Sequence, residues 1–353
     1  MSSPSAVLLT ASRYVFALGL GLIGGAVFHL LNLPLPWMLG AMLFTMVASV
    51  SGAPLASPRL ARPAMSAVIG VVLGTYFQPE LFARAGDWLI SIAALFVFLV
   101  LCGAVAVTFF HFVGRMDWKT AYFAGMPGGL IEMVLAADAN GADSSKVALV
   151  HSTRVFLTVM VLPGLVVWAE GGEAVARGVS AMTDMTFENV GLLLVFAAAG
   201  AFFGKLLRLP ARYLMGPMLL VAALELTGVV SDLHPPTVLV WGAQVVIGTV
   251  IGCRFVGVTW RGVAGVVGLT AGSIVLFLGL ALAFAALLEQ LMGIRMVQGV
   301  LAFAPGGVAE MSLVAISLEA DAAFVALHHV IRISAVMALA PLVFALLAPR
   351  DKS

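Results

Sequence analysis

The sequence predicts an all-α integral membrane protein built from two inverted repeats, each with about five transmembrane helices plus one broken or re-entrant segment. Three observations predict it. Residues 88–114 and 262–288 each run 27 positions without an Asp, Glu, Lys or Arg, and residues 14–58 run 45. Motifs of the first half return in the second, 176 to 178 positions later. The Lys and Arg bias of matching loops also changes between the halves, as it does when two repeats insert with opposite topology.

Hydrophobic residues fill 62% of the 353 positions, charged residues only 10%, and mean hydropathy is +1.12. A soluble domain carries about 25% charged residues and has no core large enough for so much apolar surface. In lipid, about 20 apolar residues cross the hydrocarbon as a helix, so residues 14–58 suffice for two passes around Pro34 and Pro36. A net charge of +1 leaves no basic face for nucleic acid. Cys102 and Cys253 lie in or beside apolar runs without CxxC spacing, which excludes a disulfide framework and a zinc ribbon. The opening MSSPSAVLLTASR lacks a basic n-region, so the first span is expected to stay in the mature protein rather than leave as a signal peptide.

Apolar runs place first-half helices near 14–31, 36–51, 63–78, 88–114 and 147–169, with a Gly/Pro-broken segment near 122–140. Second-half helices follow near 189–206, 213–230, 236–253, 262–288 and 325–348, with a broken segment near 298–318. The expected organisation is a first membrane repeat over 1–170, an acidic linker over 171–188 and a second repeat over 189–353. The acidic stretch as a whole runs over 170–188 and holds Glu170, Glu173, Asp184 and Glu188 against Arg177.

The duplication rests on polar and Pro/Gly matches, which apolar low complexity does not generate. Leu33-Pro34-Leu35-Pro36-Trp37-Met38-Leu39-Gly40 returns as Leu209-Pro210-Ala211-Arg212-Tyr213-Leu214-Met215-Gly216, and Ile69-Gly70 as Ile247-Gly248. Residues 126–154 align without a gap to 304–332, with 14 identities in 29 positions. They include Pro127-Gly128-Gly129 with Pro305-Gly306-Gly307, Glu132 with Glu310, Asp143 with Asp321, His151 with His329 and Arg154 with Arg332. Arg59 and Arg62 follow the second helix of the first half, whereas Asp232 and His234 follow that of the second. Glu80, Arg84 and Asp87 follow the first-half third helix, and Arg254 and Arg261 its counterpart. With the N-terminus inside, ten spans and two re-entrant segments place 13 cations in the cytoplasm: Arg13, Arg59, Arg62, Arg115, Lys119, Lys146, Lys205, Arg208, Arg212, Arg254, Arg261, Arg350 and Lys352. The rival of six full spans per half puts Lys205, Arg208, Arg212, Arg254 and Arg261 outside.

Pro-Gly-Gly inside an apolar segment breaks a helix, because Pro removes a hydrogen bond and Gly has low helix propensity. Irregular backbone at membrane depth persists only where protein or a water-filled cavity satisfies it. Pro127, Gly128 and Gly129 therefore read as a helix start within the membrane, whose unpaired amides and positive dipole suit an anionic group. Pro305, Gly306 and Gly307 supply the second. Glu132 and Glu310 follow three residues after the last Gly and are candidates to bind a proton or sodium ion. The plain alternative is that each only complements its helix dipole. His151 with Arg154, and His329 with Arg332, lie three apart on one helical face as supporting residues. Each arginine can either snorkel to the interface or pair with the acid of its broken segment, as Glu132–Arg154 and Glu310–Arg332. Asp143 and Asp321 read as helix caps, and Trp37 and Tyr213 as interfacial anchors.

The duplicated Pro-Gly-Gly-x-x-Glu-Met segment and the LPxPWMLGAM-like segment resemble the bacterial membrane family named for AbrB duplication, over about 13–348. Members carry conflicting labels, as ammonia monooxygenases or as AbrB family regulators, and the resemblance brings no catalytic residue with it. Ammonia oxidation needs a metal held by clustered ligands. Of His29, His111, His151, His234, His328 and His329, only the last two adjoin, and neighbours on a helix point about 100° apart. No metal, cofactor or catalytic residue is expected, and no basic soluble segment exists to bind DNA. The expected function is a secondary transporter or exchanger of the bacterial inner membrane for a small polar or anionic solute, coupled to a proton or sodium ion. Its partners are the lipid bilayer and that solute, with no nucleic acid and oligomeric state left open. The alternatives are a membrane sensor that affects gene expression indirectly and a membrane monooxygenase.

Overall fold

The computed structural model describes residues 4–78, 85–169, 187–229, 233 and 235–347. Glu80, Arg84, Arg177, Asp232, His234, Arg350, Lys352 and the acidic link up to residue 186 lie outside the described residues. The described residues form α-helices and no strand. The first half supplies α1 (Pro4–Leu30), α2 (Pro36–Val50), α3 (Ala61–Gly74), α4 (Ala85–Phe112), α5 (Trp118–Gly125), α6 (Leu130–Ala139) and α7 (Ser144–Ala169). The second supplies α8 (Phe187–Leu206), α9 (Arg212–Leu226), α10 (Thr237–Gly252), α11 (Trp260–Met292), α12 (Met296–Phe303), α13 (Val308–Ser317) and α14 (Ala322–Leu347).

Left-handed backbone recurs at matching positions of the two halves. Asn32 and Arg208 have φ of 52° and 54°, and Leu35 and Ala211 have 45° and 46°. Gly52 pairs with Gly228, Arg115 with Gly293, and Gly141 with Glu319. A residue with a Cβ pays about 1–2 kcal/mol in this region, so these conformations are imposed by the packing of the helices that the turns join.

The chain forms two compact units, and each draws helices from both sequence halves. One unit comprises residues 1–84, 159–263 and 312–323. Its helices touch backbone to backbone through glycine, the close approach that small residues allow in lipid. A methyl group on Gly40 of α2 would stand 2.1 Å from Gly24 O of α1, and one on Gly216 of α9 would stand 2.1 Å from Gly200 O of α8. The third helices cross to the other half. Gly70 of α3 lies over Leu214 O and Gly74 near Met218 O on α9, while Gly248 of α10 lies over Met38 O and Gly252 over Met42 O on α2. Trp37 stacks between His29 and Trp241, with ring centroids 5.6 and 5.4 Å away. Tyr213 instead lies under the Arg212 guanidinium, 4.8 Å from its ring centroid.

Among the described residues seven helical stretches are long and apolar enough to cross a membrane, which makes the chain a multi-pass membrane protein by length and composition. They lie in α1, α4, α7, α8, α10 with the 3-10 turn Cys253–Phe255 that follows it, α11 and α14. The expected segments at 36–51, 63–78 and 213–230 are shorter helices of 15, 14 and 15 residues. Pro34 precedes α2 and Pro36 is its first residue, Pro58 precedes α3, and Pro210 precedes α9. Hydropathy carries through these punctuated regions, but the helical hydrogen-bond ladder does not.

The other unit comprises residues 85–158, 264–311 and 324–353 and holds both Pro-Gly-Gly breaks. Phe98 of α4 packs edge-on against Phe284 of α11 and Phe303 of α12, at 5.5 and 5.0 Å. Tyr122 Oη of α5 donates to Ala340 O of α14 at 2.7 Å. Both clusters join helices from different halves.

The glycine contacts generate a paired expectation. Gly216→Ala should destabilise the purified protein by about 1–3 kcal/mol, since the backbone must part to admit the methyl. Gly19→Ala, where nothing lies within 4 Å, should be neutral or slightly stabilising. Thermal unfolding in detergent checks both, and equal effects would refute the contact.

Candidate functional site

The two broken segments are built alike, and the first begins at a cap. Asp117 Oδ1 accepts from the Thr120 amide at 3.0 Å, which starts α5 eight residues before the break. Met126 leaves the helix at φ −59°, ψ 133°, although its N–H still donates to Tyr122 O. Pro127 and Gly128 follow, and Gly129 in extended backbone is the N-cap of α6. In the second segment Ala304 leaves α12 at φ −57°, ψ 145°, and Pro305, Gly306 and Gly307 lead into α13. Each segment is thus a pair of half-helices, the C-terminus of one meeting the N-terminus of the next.

Stopping a helix leaves its last carbonyls without intrahelical donors. The His–Arg pair of the following long helix supplies them. His151 Nε2 bonds Phe123 O at 2.9 Å, and Arg154 donates from Nη1 to Ala124 O at 3.3 Å and from Nη2 to Met126 O at 3.0 Å. His329 Nε2 bonds Leu301 O at 2.9 Å, and Arg332 donates to Ala304 O and Gly306 O. Within each pair the guanidinium meets the histidine Nδ1, at 2.8 Å for His151 and 3.0 Å for His329. The guanidinium has only donors, so Nδ1 accepts and the Nε2–H tautomer points at the carbonyl. Arg154 and Arg332 are each 2% exposed. A buried cation is costly unless hydrogen-bonded, and the negative end of a short helix is a favourable place for one.

This arrangement corrects the expected Glu132–Arg154 and Glu310–Arg332 ion pairs. The arginine partners are backbone carbonyls and histidine, because the buried carbonyls at the ends of α5 and α12 need several donors in fixed directions. The glutamates lie at the opposite ends of the breaks. Each is partly exposed and folds back over its own first turn. A methyl on Gly129 would stand 2.2 Å from Glu132 Oε2, and one on Gly307 would stand 2.0 Å from Glu310 Oε2. The last glycine of each motif is therefore the ground on which its carboxylate rests. The carboxylate covers the positive end of α6 or α13.

Asp143 caps α7, as expected: its Oδ1 accepts from Lys146 N at 3.0 Å and its Oδ2 meets Lys146 Nζ at 3.1 Å. The Lys146 N–H holds its carboxyl below the usual carboxylate range. Sequence reasoning missed three neighbours. Phe277 of α11 lies under the Arg154 guanidinium at 5.3 Å. The Cys102 thiol of α4 is within electrostatic reach of both arginines. His328 bonds Ser91 Oγ of α4 at 3.0 Å and Phe324 O at 2.8 Å. The doubled histidine was the one local signal for any of them; the other partners lie 52 residues or more away in the chain. Among the described residues no three His, Cys, Asp or Glu side chains gather as metal ligands do.

Arg332→Met should leave the buried Gly306 carbonyl unbonded and Ala304 O with the Gly306 N–H at 2.9 Å as its donor, at a cost of about 1–3 kcal/mol. Arg332→Lys should rescue little of this, since an ammonium lacks the planar fork that reaches two carbonyls. Thermal unfolding of the detergent-solubilised protein measures it, and wild-type stability in both variants would show that the carbonyls find other donors.

A profile of the family described as "Transition state regulatory protein AbrB" matches residues 37–348. The chain is 31% identical over 301 residues to "Uncharacterized protein YhjN" of Bacillus subtilis (strain 168), covering 79% of this chain and 77% of that protein. It is 26% identical over 318 residues to "Putative regulator AbrB" of Escherichia coli (strain K12), covering 89% and 90%. With the duplicated Pro-Gly-Gly segments inside the matched region and the match running over most of its length, this chain belongs to the AbrB membrane protein family.

Proposed function

We propose that this protein is a secondary transporter or exchanger of the bacterial inner membrane, moving a small polar or anionic solute with a coupled proton or sodium ion. The observation that carries this reading is the unequal treatment of the two ends of each break. The C-terminal ends of α5 and α12 are sealed by buried arginines. The N-terminal ends of α6 and α13 instead carry a partly exposed carboxylate on a flexible side chain. Discontinuous helices whose N-termini bind anionic groups are a recurrent basis of solute sites in transporters.

In this reading the glutamate and the solute compete for one helix terminus. Protonation of Glu132 or Glu310, or capture of a sodium ion, cancels the attraction between carboxylate and helix end. The side chain then leaves, and the first-turn amides receive the anionic group of the solute. Loss of the proton or ion reverses the exchange. Two such termini, one from each half, would face opposite sides if the halves insert with opposite topology, as the changed loop charges support. No residue is assigned a catalytic role.

The name of the Escherichia coli relative favours a second reading, a membrane sensor that binds a ligand without moving it. Substrate counterflow in proteoliposomes separates the two, since a sensor shows none. Replacing both Glu132 and Glu310 by Gln should abolish coupled uptake while leaving membrane insertion intact; wild-type rates in that double variant end the coupling role. Gly129→Ala with Gly307→Ala should displace both carboxylates without altering charge. Stability should change by no more than about 1 kcal/mol, because only flexible side-chain ends must move, whereas uptake should fall. Undiminished uptake there would separate the carboxylates from the helix termini.

A further inference from the structure

A second feature lies in the unit formed by residues 1–84, 159–263 and 312–323 and stands apart from the transport reading. There, α3, α8 and α9 form a layer. Gly70 faces Leu214 and Gly74 faces Met218, so α3 runs parallel to α9, whereas Gly200 against Pro217 and Gly204 against Arg212 O make α8 antiparallel to α9. One end of the layer therefore collects the start of α3, the turn between α8 and α9, and the start of α9. Counting 1.5 Å per residue from these contacts, Arg62 stands roughly 9 Å beyond Arg212 along the axis, beside the turn that carries Arg208.

Five exposed cations meet at this end: Arg59, Arg62, Lys205, Arg208 and Arg212. No Asp or Glu occurs in residues 53–66 or 200–217. Two helix N-termini add to the field, and neither α3 nor α9 has a side-chain cap. Arg62 and Arg212 occupy first turns, where the dipole disfavours cations. Arg208 holds φ 54°, a conformation in which Asn is the easier choice. Tyr213 holds the Arg212 fork by stacking and by a 3.0 Å bond from Nη2 to its Oη. Beside the cations stand three strongly exposed leucines, Leu60 at 85%, Leu206 at 65% and Leu207 at 64%.

The duplicate copy supplies the internal control. Its matching end carries His29, Asn32 and Pro36 where this end has Lys205, Arg208 and Arg212, and Val240 in place of Arg62. The backbone is the same, including the left-handed residue, φ 52° at Asn32. The turn therefore does not need the cations. Charges concentrated against their helix dipoles, with no carboxylate beside them in the chain, call for an anion from outside, and the leucines place that anion on something apolar.

We propose that this end of α3, α8 and α9 binds the phosphate headgroup of an anionic phospholipid, with Leu60, Leu206 and Leu207 against its acyl chains. Arginine forks match phosphate oxygens in pairs, and Lys205 adds a point charge. The test uses full-length protein in mild detergent, titrated with phosphatidylglycerol or phosphatidylcholine of equal chain length and read by native mass spectrometry. Wild type should retain phosphatidylglycerol preferentially. The Arg62→Val, Lys205→His, Arg208→Asn triple variant installs the residues of the other copy and should weaken that retention about fivefold per cation, roughly a hundredfold in all. Arg59→Gln with Arg62→Gln, which leaves the turn untouched, should weaken it roughly 25-fold by the same rule. Because loop cations also set topology, protease mapping first establishes wild-type orientation for each variant. Equal retention of the two lipids by wild type, or wild-type retention by both variants, overturns the proposal. So does release of phosphatidylglycerol by millimolar inorganic phosphate, which would mark a site for a free anion rather than a lipid.

Discussion

A helix that stops inside an apolar protein leaves carbonyl oxygens that water does not reach, and the unit holding the two breaks is organised around that cost. Each unpaired group is worth several kcal/mol in hydrocarbon. Arg154 and Arg332 present the converse difficulty, a full charge at 2% exposure. Each difficulty resolves the other. The guanidinium gains acceptors at the negative end of a half-helix, and the carbonyls gain donors in a fixed fork. His151 and His329 complete the set by bonding one more carbonyl and the arginine itself. The same two side chains thereby tie α7 to α5 and α14 to α12.

The other ends of the breaks are handled differently. At the first turns of α6 and α13 the carboxylates of Glu132 and Glu310 lie over glycine. A sealed end is architecture. An end covered by a titratable, partly exposed group on three rotatable bonds can be uncovered. That contrast is why the proposed function is placed on the glutamates, while the arginines are read as the frame that holds the break open.

Duplication supplies this frame twice, and the copies have diverged where contacts cross between halves. Phe277 lies under Arg154, but the matching position in the first half is Leu99. His328 bonds Ser91, and their counterparts are Val150 and Leu269. Lys205, Arg208 and Arg212 face His29, Asn32 and Pro36 in the comparison of copies. The left-handed turn accommodates either set, with φ of 52° at Asn32 and 54° at Arg208.

The sequence by itself determined the membrane-protein class, the duplication and the position of both chain breaks. These depend on summed hydropathy and on Pro and Gly, whose effects on the backbone are local. Asp143 as a cap was legible for the same reason. It did not determine how long the helices run between prolines, since hydropathy carries on where the helical hydrogen-bond ladder stops. Nor did it assign partners to Arg154 and Arg332, because pairing by charge favoured the glutamates, whereas the structure fills those sites with carbonyls 26 to 30 residues away. Tertiary structure alone decided that outcome: only folding shows which polar groups are cut off from every other partner.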